Sequence, residues 1–407
     1  MVWQLAIRYL RGKRSANAVP VLSRISMVAI AVGSCAMIVL FSVFNGFEYL
    51  IKDLYKAFYP DIKISAEKGK FFALEEQQLA RIKALKGVER MTYVLEDKVY
   101  VRTDNNDDKV AVVKGIDRQY MAVNDLQPYI ADGRDTVSNG DIPTGIVGRR
   151  IANQLSMDPN SAFSKLILYY PNPRSTNIAL DPASAFSSAQ LKVDGVFTVQ
   201  EEFDDKYILA PLPLMQYLLQ QAGKYSSVEI KLAANADREQ LKRQIQQICG
   251  TAYHTQTRFE QNKTLYMVMR TEKWAVYAIL LLVMVIASFN MIAALSLLVL
   301  EKRKDMAILK AMGAQPGDVR RIFMFEGILW SSIGGLSGLL LGFLLCLGQR
   351  QFGWIKLTGS FIVDAYPVRI QPLDFALIIA TILIVGLLAS WVPALRAMKG
   401  GLPGLKS

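Results

Sequence analysis

The sequence predicts an α-helical membrane protein with four transmembrane helices and one large α+β extracytoplasmic domain between helices 1 and 2. Three observations carry this: four long apolar segments, a long stretch of mixed composition after the first, and a short charged loop between the second and third. A helix rises ~1.5 Å per residue, so a hydrocarbon core of ~30 Å takes about 20 apolar residues. Residues 25–47 and 274–300 hold no charged side chain, 322–347 holds only Glu326, and 373–395 only Asp374. These are the four spans. The chain as a whole is still 20% charged, because residues 48–270 have the composition of a soluble domain.

The remaining pieces take their sides from Lys and Arg near the span ends. The N-terminal stretch carries Arg8, Arg11, Lys13, Arg14 and Arg24; the loop 301–321 carries Lys302, Arg303, Lys304, Lys310, Arg320 and Arg321. The tail 396–407 has Arg396, Lys399 and Lys406, whereas the loop 348–372 has only Arg350, Lys356 and Arg369. Both termini and the loop 301–321 are therefore expected in the cytoplasm, and the large domain on the far side. Residues 1–24, with Trp3, Ile7, Tyr9 and Leu10 among arginines, read as an interfacial helix. The first apolar segment is longer than a signal-peptide core, so it is expected to stay as a span.

Several function classes are disfavoured. The net charge of +12 follows from this topology, so it is no footprint for nucleic acid. Cys35 and Cys346 sit in spans and Cys249 stands alone in the domain, which implies no intrachain disulfide framework. His254 is the single histidine, against a His-rich metal site or a Ser-His-Asp triad. No Gly-x4-Gly-Lys-Ser/Thr loop occurs, so ATP and Mg would be bound by another chain, and neither an enzyme nor a cofactor site is expected on this one.

Within 48–270, two similar βαβ pieces flank a β-rich middle. Residues 61–65 alternate as a strand, a helix presents Leu79, Ile82 and Leu85, and strands follow near 91–101 and 109–115. At the far end, 227–232 is a strand, Asn235 or Asp237 caps a helix bearing Leu241, Ile245 and Ile248, and 251–255 can pair. Strands are expected at 145–148, 165–170 and 190–198 between them, with a Pro- and Ser-rich loop at 171–188. From Arg258 the chain is expected to enter the second span as one unbroken helix.

The loop 301–321 is short yet organised. Its charges come first, then Met306, Leu309 and Met312 recur three apart before Gly313 stops the turn. An apolar knob with a charged rim suits docking to another protein. In the third span, Gly334, Gly335, Gly338 and Gly342 include a small-xxx-small pattern for close helix packing. Glu326 is expected to snorkel or to pair with Arg320 or Arg321.

Several motifs together carry a resemblance. They are Ile7-Arg-Tyr-Leu10 with the basic residues after it, Ser42-Val-Phe-Asn-Gly-Phe-Glu48, Phe289-Asn290, and Phe325-Glu-Gly327 with the glycines that follow. The longest is Val299-Leu-Glu-Lys-Arg-Lys-Asp-Met-Ala-Ile-Leu-Lys-Ala-Met-Gly-Ala314. Over nearly its whole length the chain resembles the FtsX-like permease family, the MacB-type membrane subunits of ATP-binding-cassette transporters. Within that family it is most similar to the lipoprotein-releasing LolC/LolE branch. The tail after Pro393 lacks the Asp-Pro that often follows in relatives.

The resemblance implies a MacB-like periplasmic core domain with porter-like and sabre-like parts, a multi-pass place in the bacterial inner membrane, and several partners. These are a LolD-like ATPase dimer, a second LolC/LolE-like permease subunit in a hetero- or homodimer, a lipoprotein substrate, a periplasmic LolA-like carrier and membrane lipid. Met306, Leu309, Met312 and Gly313 would then enter the ATPase, oriented by Lys302, Arg303 and Asp305. Lipoprotein would meet Met37, Phe41, Phe44 and Phe47 of the first span and Tyr266, Met267, Met269 and Met284 of the second, where flexible thioethers and broad rings suit acyl chains. The carrier would meet the 171–188 loop, stiffened by Pro171, Pro173 and Pro182. A MacB-type exporter and an FtsX-type regulator of cell-wall hydrolases are the alternatives that the same family allows.

Overall fold

The computed structural model describes residues 18–161, 164–172, 185–357 and 365–399, which divide into two compact units. One holds four long apolar helices, and the other spans Ile51–Tyr266. The expected interfacial helix before residue 18 and the tail beyond 399 lie outside the described residues.

The apolar helices run Ala18–Leu54, Lys263–Glu301, Pro316–Phe352 and Pro372–Lys399. Each outruns the apolar segment that predicts it. The second, at 39 residues, is ~58 Å long at ~1.5 Å per residue, far more than a membrane core requires. Lipid tails are as apolar as leucine, so what brings such helices together is close packing and hydrogen bonding. Gly334, Gly338 and Gly342, four apart, lay the third span directly on the backbone of the first. A Cβ on Gly334 would stand 2.6 Å from the Met27 carbonyl oxygen, one on Gly342 would stand 2.9 Å from that of Cys35, and one on Gly338 would overlap the Ala31 carbonyl. Gly335 points the other way, against Ile382 of the fourth span. The Ser34 hydroxyl donates across to the Gly335 carbonyl at 3.0 Å. Met37, Phe41, Met284, Met291, Trp330 and Ile382 belong to the core that results.

The second unit is built on one ten-stranded sheet. Its strands are β1 (Ile62–Ala66), β2 (Val88–Thr103), β3 (Asp108–Ile116), β4 (Ile130–Gly133) and β5 (Thr144–Gly148). They continue with β6 (Lys165–Pro171), β7 (Phe186–Phe197), β8 (Tyr207–Pro211), β9 (Ser227–Leu232) and β10 (Tyr253–Thr257). The two flanking pieces do not stay apart. They interleave in the order β10-β1-β9-β2, all antiparallel, with helices Glu76–Lys83 and Arg238–Cys249 packed on a core of Ile62, Ile64, Ile82, Ile230, Leu241 and Ile245. This is the split βαβ arrangement of ferredoxin-like folds. Asp237 caps the second helix, accepting from the N–H groups of Glu239 and Gln240 at 3.0 Å each.

The middle of the chain is an insertion between β2 and β9. β2 is long enough to serve both parts, since its start pairs β9 while its end pairs β3 and β6. β3–β8 and β5–β7 are parallel, and the other pairs among these strands are antiparallel. A buried ion pair joins the two parts. Lys114 of β3 lies 3.1 Å from the Glu229 carboxylate of β9 and 3.1 Å from the Tyr120 hydroxyl. Burial opposes its charge, yet Glu229, Tyr120 and Glu96 hold its pKa well above the ordinary lysine value.

Two expectations change. β7 starts at Phe186 and pairs Pro171↔Phe186 with β6, so both ends of the expected 171–188 loop belong to strands. Pro173 and Pro182 fall outside the described residues. The run from Arg258 is not one helix: a turn at Arg258–Gln261 ends at Asn262, whose φ of −125° and ψ of 31° leave the helical path.

Burial pushes the Asp204 carboxyl up to about 6, against the Val199 N–H that donates to it at 2.8 Å. Its folded pKa exceeds the unfolded value of ~3.9, so the folded state holds the proton more tightly. The resulting stability is present below about pH 4 and is lost as pH rises to about 6. Asp204→Asn is expected to raise stability by about 2 kcal/mol at pH 7 and to give no gain near pH 4. Thermal scans at both pH values check this, and equal shifts at the two would contradict it.

Candidate functional site

At one end of the four-helix unit, polar groups from three helices meet under a strap of the 348–372 loop. Asn45, in the Asn-Gly-Phe-Glu motif of the first helix, is 2% exposed and donates through Nδ2 to Asp374 at 2.5 Å. Lys273, from the second helix, donates to Asn45 Oδ1 at 2.7 Å and to Asp374 Oδ1 at 3.2 Å. Asp374, near the start of the fourth helix, is 5% exposed. The ammonium also sits over the Phe41 ring, 5.3 Å from its centroid. The next residue along explains the glycine in the motif: a Cβ on Gly46 would overlap the carbonyl of Pro367. The strap is pinned there by the Arg369 N–H, which donates to Ser42 at 2.8 Å, and by the Arg369 guanidinium over Tyr49 at 4.3 Å.

The residues expected to meet lipoprotein divide around this knot. Met37, Phe41 and Met284 are buried in the helix core, so they pack the bundle and offer no surface. Phe44, Phe47 and Met269 are half-buried, and Met267 is 54% exposed. In the other unit, Tyr266 is half-buried and stacks on Phe259 at 5.1 Å. An exposed apolar stripe that residue-by-residue reading missed lies further along the second helix, at Ile279, Leu282, Ile286 and Phe289. Its 3-4-3 spacing is the helical signal that could have revealed it.

The charged loop contains a helix, Arg303–Ala311, set off from the second span at Lys302. Lys302 and Asp305 form an ion pair at 3.2 Å. At the far end the helix stops in a Schellman turn, with Gly313 at φ +92°, its N–H on the Lys310 carbonyl and the Ala314 N–H on that of Leu309. Met306 points inward and joins the bundle core, and Leu309 is half-buried. The exposed apolar pair is Ile308, 60% exposed, and Met312, 77% exposed. Three-residue spacing drifts around a helix, whereas the i, i+4 pair shares a face. Arg303 is exposed beside it. Glu326 does not pair with Arg320 or Arg321: it is buried, and Arg320 lies over the Trp391 ring at 4.8 Å.

Four apolar helices, a helix with a protruding apolar pair between the second and third, and a split βαβ domain between the first and second define a membrane permease with a large extramembranous domain. The MacB-like periplasmic core domain family matches residues 23–248, and the FtsX-like permease C-terminal family matches residues 277–402. The chain belongs to this family of MacB-like, FtsX-like permeases. A protein named lipoprotein-releasing system transmembrane protein LolE, from Haemophilus influenzae, is 25% identical over 96% of this chain and 95% of its own length. Two proteins named lipoprotein-releasing system transmembrane protein LolC cover 97% of this chain and 96% of their own lengths. One, from Xylella fastidiosa, is 23% identical, and the other, from Neisseria meningitidis, is 24% identical.

Removing one partner of a buried ion pair costs more than removing both, because the survivor stays desolvated and unpaired. Lys273→Met is therefore expected to lower stability by about 2–3 kcal/mol, and Lys273→Met combined with Asp374→Leu to recover most of that loss. Thermal unfolding of the four proteins in one detergent measures the cycle. Simple addition of the two single losses would show that the residues do not act as a pair.

Proposed function

We infer that the chain is a transmembrane permease subunit of an ATP-driven transporter that releases lipoproteins from the outer leaflet of the inner membrane to a periplasmic carrier. The observation that carries this reading is end-to-end similarity to proteins named as lipoprotein-releasing subunits, across both the helical unit and the β domain. ATP and Mg belong to a partner ATPase dimer. Burying acyl chains is worth ~0.8 kcal/mol per CH₂, so extraction requires an energy input and an apolar acceptor.

In this reading the termini and the helix Arg303–Ala311 face the cytoplasm, and Ile308 and Met312 enter a groove on the ATPase. Lys302, Arg303 and Asp305 steer the approach, while the apolar pair supplies most of the affinity. Gly313 fixes where the helix stops and so how far Met312 projects. Met306 does a different job, anchoring the docking helix to the bundle so that its displacement is passed to the second span. A second permease subunit, membrane lipid and the lipoprotein acyl chains share the outward face of the second helix, from Met267 through Phe289. Phe44 and Phe47 of the first span and Met269 of the second are further lipoprotein contacts, and Tyr266 of the β domain is another. The segment 171–188, whose ends lie in β6 and β7, is the proposed carrier contact.

Met312→Asp and Ile308→Asp are each expected to cut ATPase co-purification by about tenfold or more while membrane insertion stays normal. The decisive measurement is release of a labelled lipoprotein from proteoliposomes holding the complex, with and without ATP and carrier. ATP-dependent release supports the reading. ATP-dependent movement of soluble amphiphiles without lipoprotein release would favour a MacB-type exporter.

A further inference from the structure

The segment by which the chain leaves the first long helix and the segment by which it enters the second are fastened to each other inside the β domain. Arg258 does most of the fastening. Its Nε donates to the Tyr59 carbonyl at 2.7 Å, its guanidinium lies 3.4 Å from Asp61 Oδ1, and its own N–H donates to the Asp61 carbonyl at 3.1 Å. Gln261 adds a bond from Nε2 to the Pro60 carbonyl at 3.3 Å. Asp61 is 8% exposed, and its second oxygen accepts from the Leu232 N–H at 3.0 Å, at the end of β9. Arg238, opening the helix Arg238–Cys249, approaches the same carboxylate at 3.6 Å.

Each side of this joint is tied onward to a different part of the domain. Phe58 stacks on Phe203 at 4.7 Å and on Tyr207 at 4.9 Å, which anchors the first segment in the inserted part. Glu260 closes a capping box with Thr257 and pairs with Lys242, which anchors the second segment on the split βαβ core. Immediately beyond the joint comes Asn262, the non-helical residue that separates Arg258–Gln261 from the helix Lys263–Glu301.

We propose that Asp61 and Arg258 are positioning residues for release: they make one rigid joint through which movement of the helix Lys263–Glu301 reaches both parts of the β domain, with Asn262 as its flexing point. A buried carboxylate–guanidinium contact resists separation because parting it would strand a charge away from water. Without it, the second segment would hold the domain through the Glu260–Lys242 pair, the Gln261 bond and β10, which among the described residues is an edge strand paired with β1 alone, and more of the movement would be absorbed by fraying there. A residue outside the helical ladder takes up a bend more readily than a continuous helix does. The proposal rests on the reading of the chain as a release permease.

The test compares lipoprotein released per ATP hydrolysed, in proteoliposomes holding the complete complex. Arg258→Met leaves Asp61 facing Arg238 and removes the guanidinium's contacts with Tyr59 and Asp61, keeping the backbone bond and Gln261. It is expected to keep assembly and ATP hydrolysis while the release ratio falls by at least about fivefold. Arg258→Lys, which restores a cation for Asp61, is expected to recover part of the ratio; a merely structural role would move melting temperature and leave the ratio alone. A ratio for Arg258→Met within about twofold of the natural protein would overturn the joint. Should that variant not assemble, Gln261→Ala keeps every charge paired and is expected to lower the ratio by about twofold, an unchanged ratio again overturning the proposal. No ATP-dependent release by the natural complex would remove the underlying reading, and the joint with it.

Discussion

The pairing of β1 with β10 is the constraint on which the rest of the domain depends. β1 follows the first long helix after a few residues and β10 precedes the second by as few, and the two are hydrogen-bonded from Ile62↔Thr257 to Ala66↔Tyr253. A chain that goes out and comes back at neighbouring points must close a very long loop, and closure entropy grows only slowly with loop length. The cost of bringing the ends together is therefore met once, by this ladder and by the split βαβ core around it. Everything between β2 and β9 is then free to form a second body on a base that is already closed. The Lys114–Glu229 pair shows how the two bodies are held: a lysine of the insertion is neutralised by a carboxylate of the base, in a site that excludes water from both.

Among the apolar helices the corresponding constraint is contact between backbones. Glycines at 334, 338 and 342 remove the side chains that would hold the third helix off the first, and serine hydroxyls satisfy neighbouring carbonyls where the helices touch. The polar knot of Asn45, Lys273 and Asp374 adds a directional element that packing alone lacks. Its members come from three helices and can be satisfied together in just one relative register. Apolar packing brings these helices together, and the knot sets how they are turned.

Much of this was legible in the sequence. Spans separated themselves by hydropathy, because lipid tolerates few charges over such lengths. The helix faces bearing Ile82 and Ile245 follow from spacing, and of the two cap candidates, Asn235 and Asp237, the structure uses Asp237. What could not be read was relational. Nothing local to 61–65 or 253–257 says that these strands are partners, and no periodicity links Lys114 to Glu229 across so much chain. The helix Arg303–Ala311 shows the finer failure: Met306, Leu309 and Met312 recur three apart and suggest one face, yet over two such steps the helix turns away, and the exposed pair is Ile308 and Met312. Met37, Phe41 and Met284 have chemistry suited to acyl chains, and the same softness suits the irregular core in which they are buried.

The position of the insertion has a consequence for how such proteins diversify. It enters and leaves the split βαβ core between its second and third strands in chain order, β2 and β9, which pair with each other. Material added or removed there leaves the first and last strands of the core, β1 and β10, paired with each other and the short connections beyond them where they are. The inserted part of the domain can thus be enlarged, trimmed or exchanged while the long helices and the helix Arg303–Ala311 keep their geometry. One set of membrane helices can in this way carry different outer parts without being rebuilt.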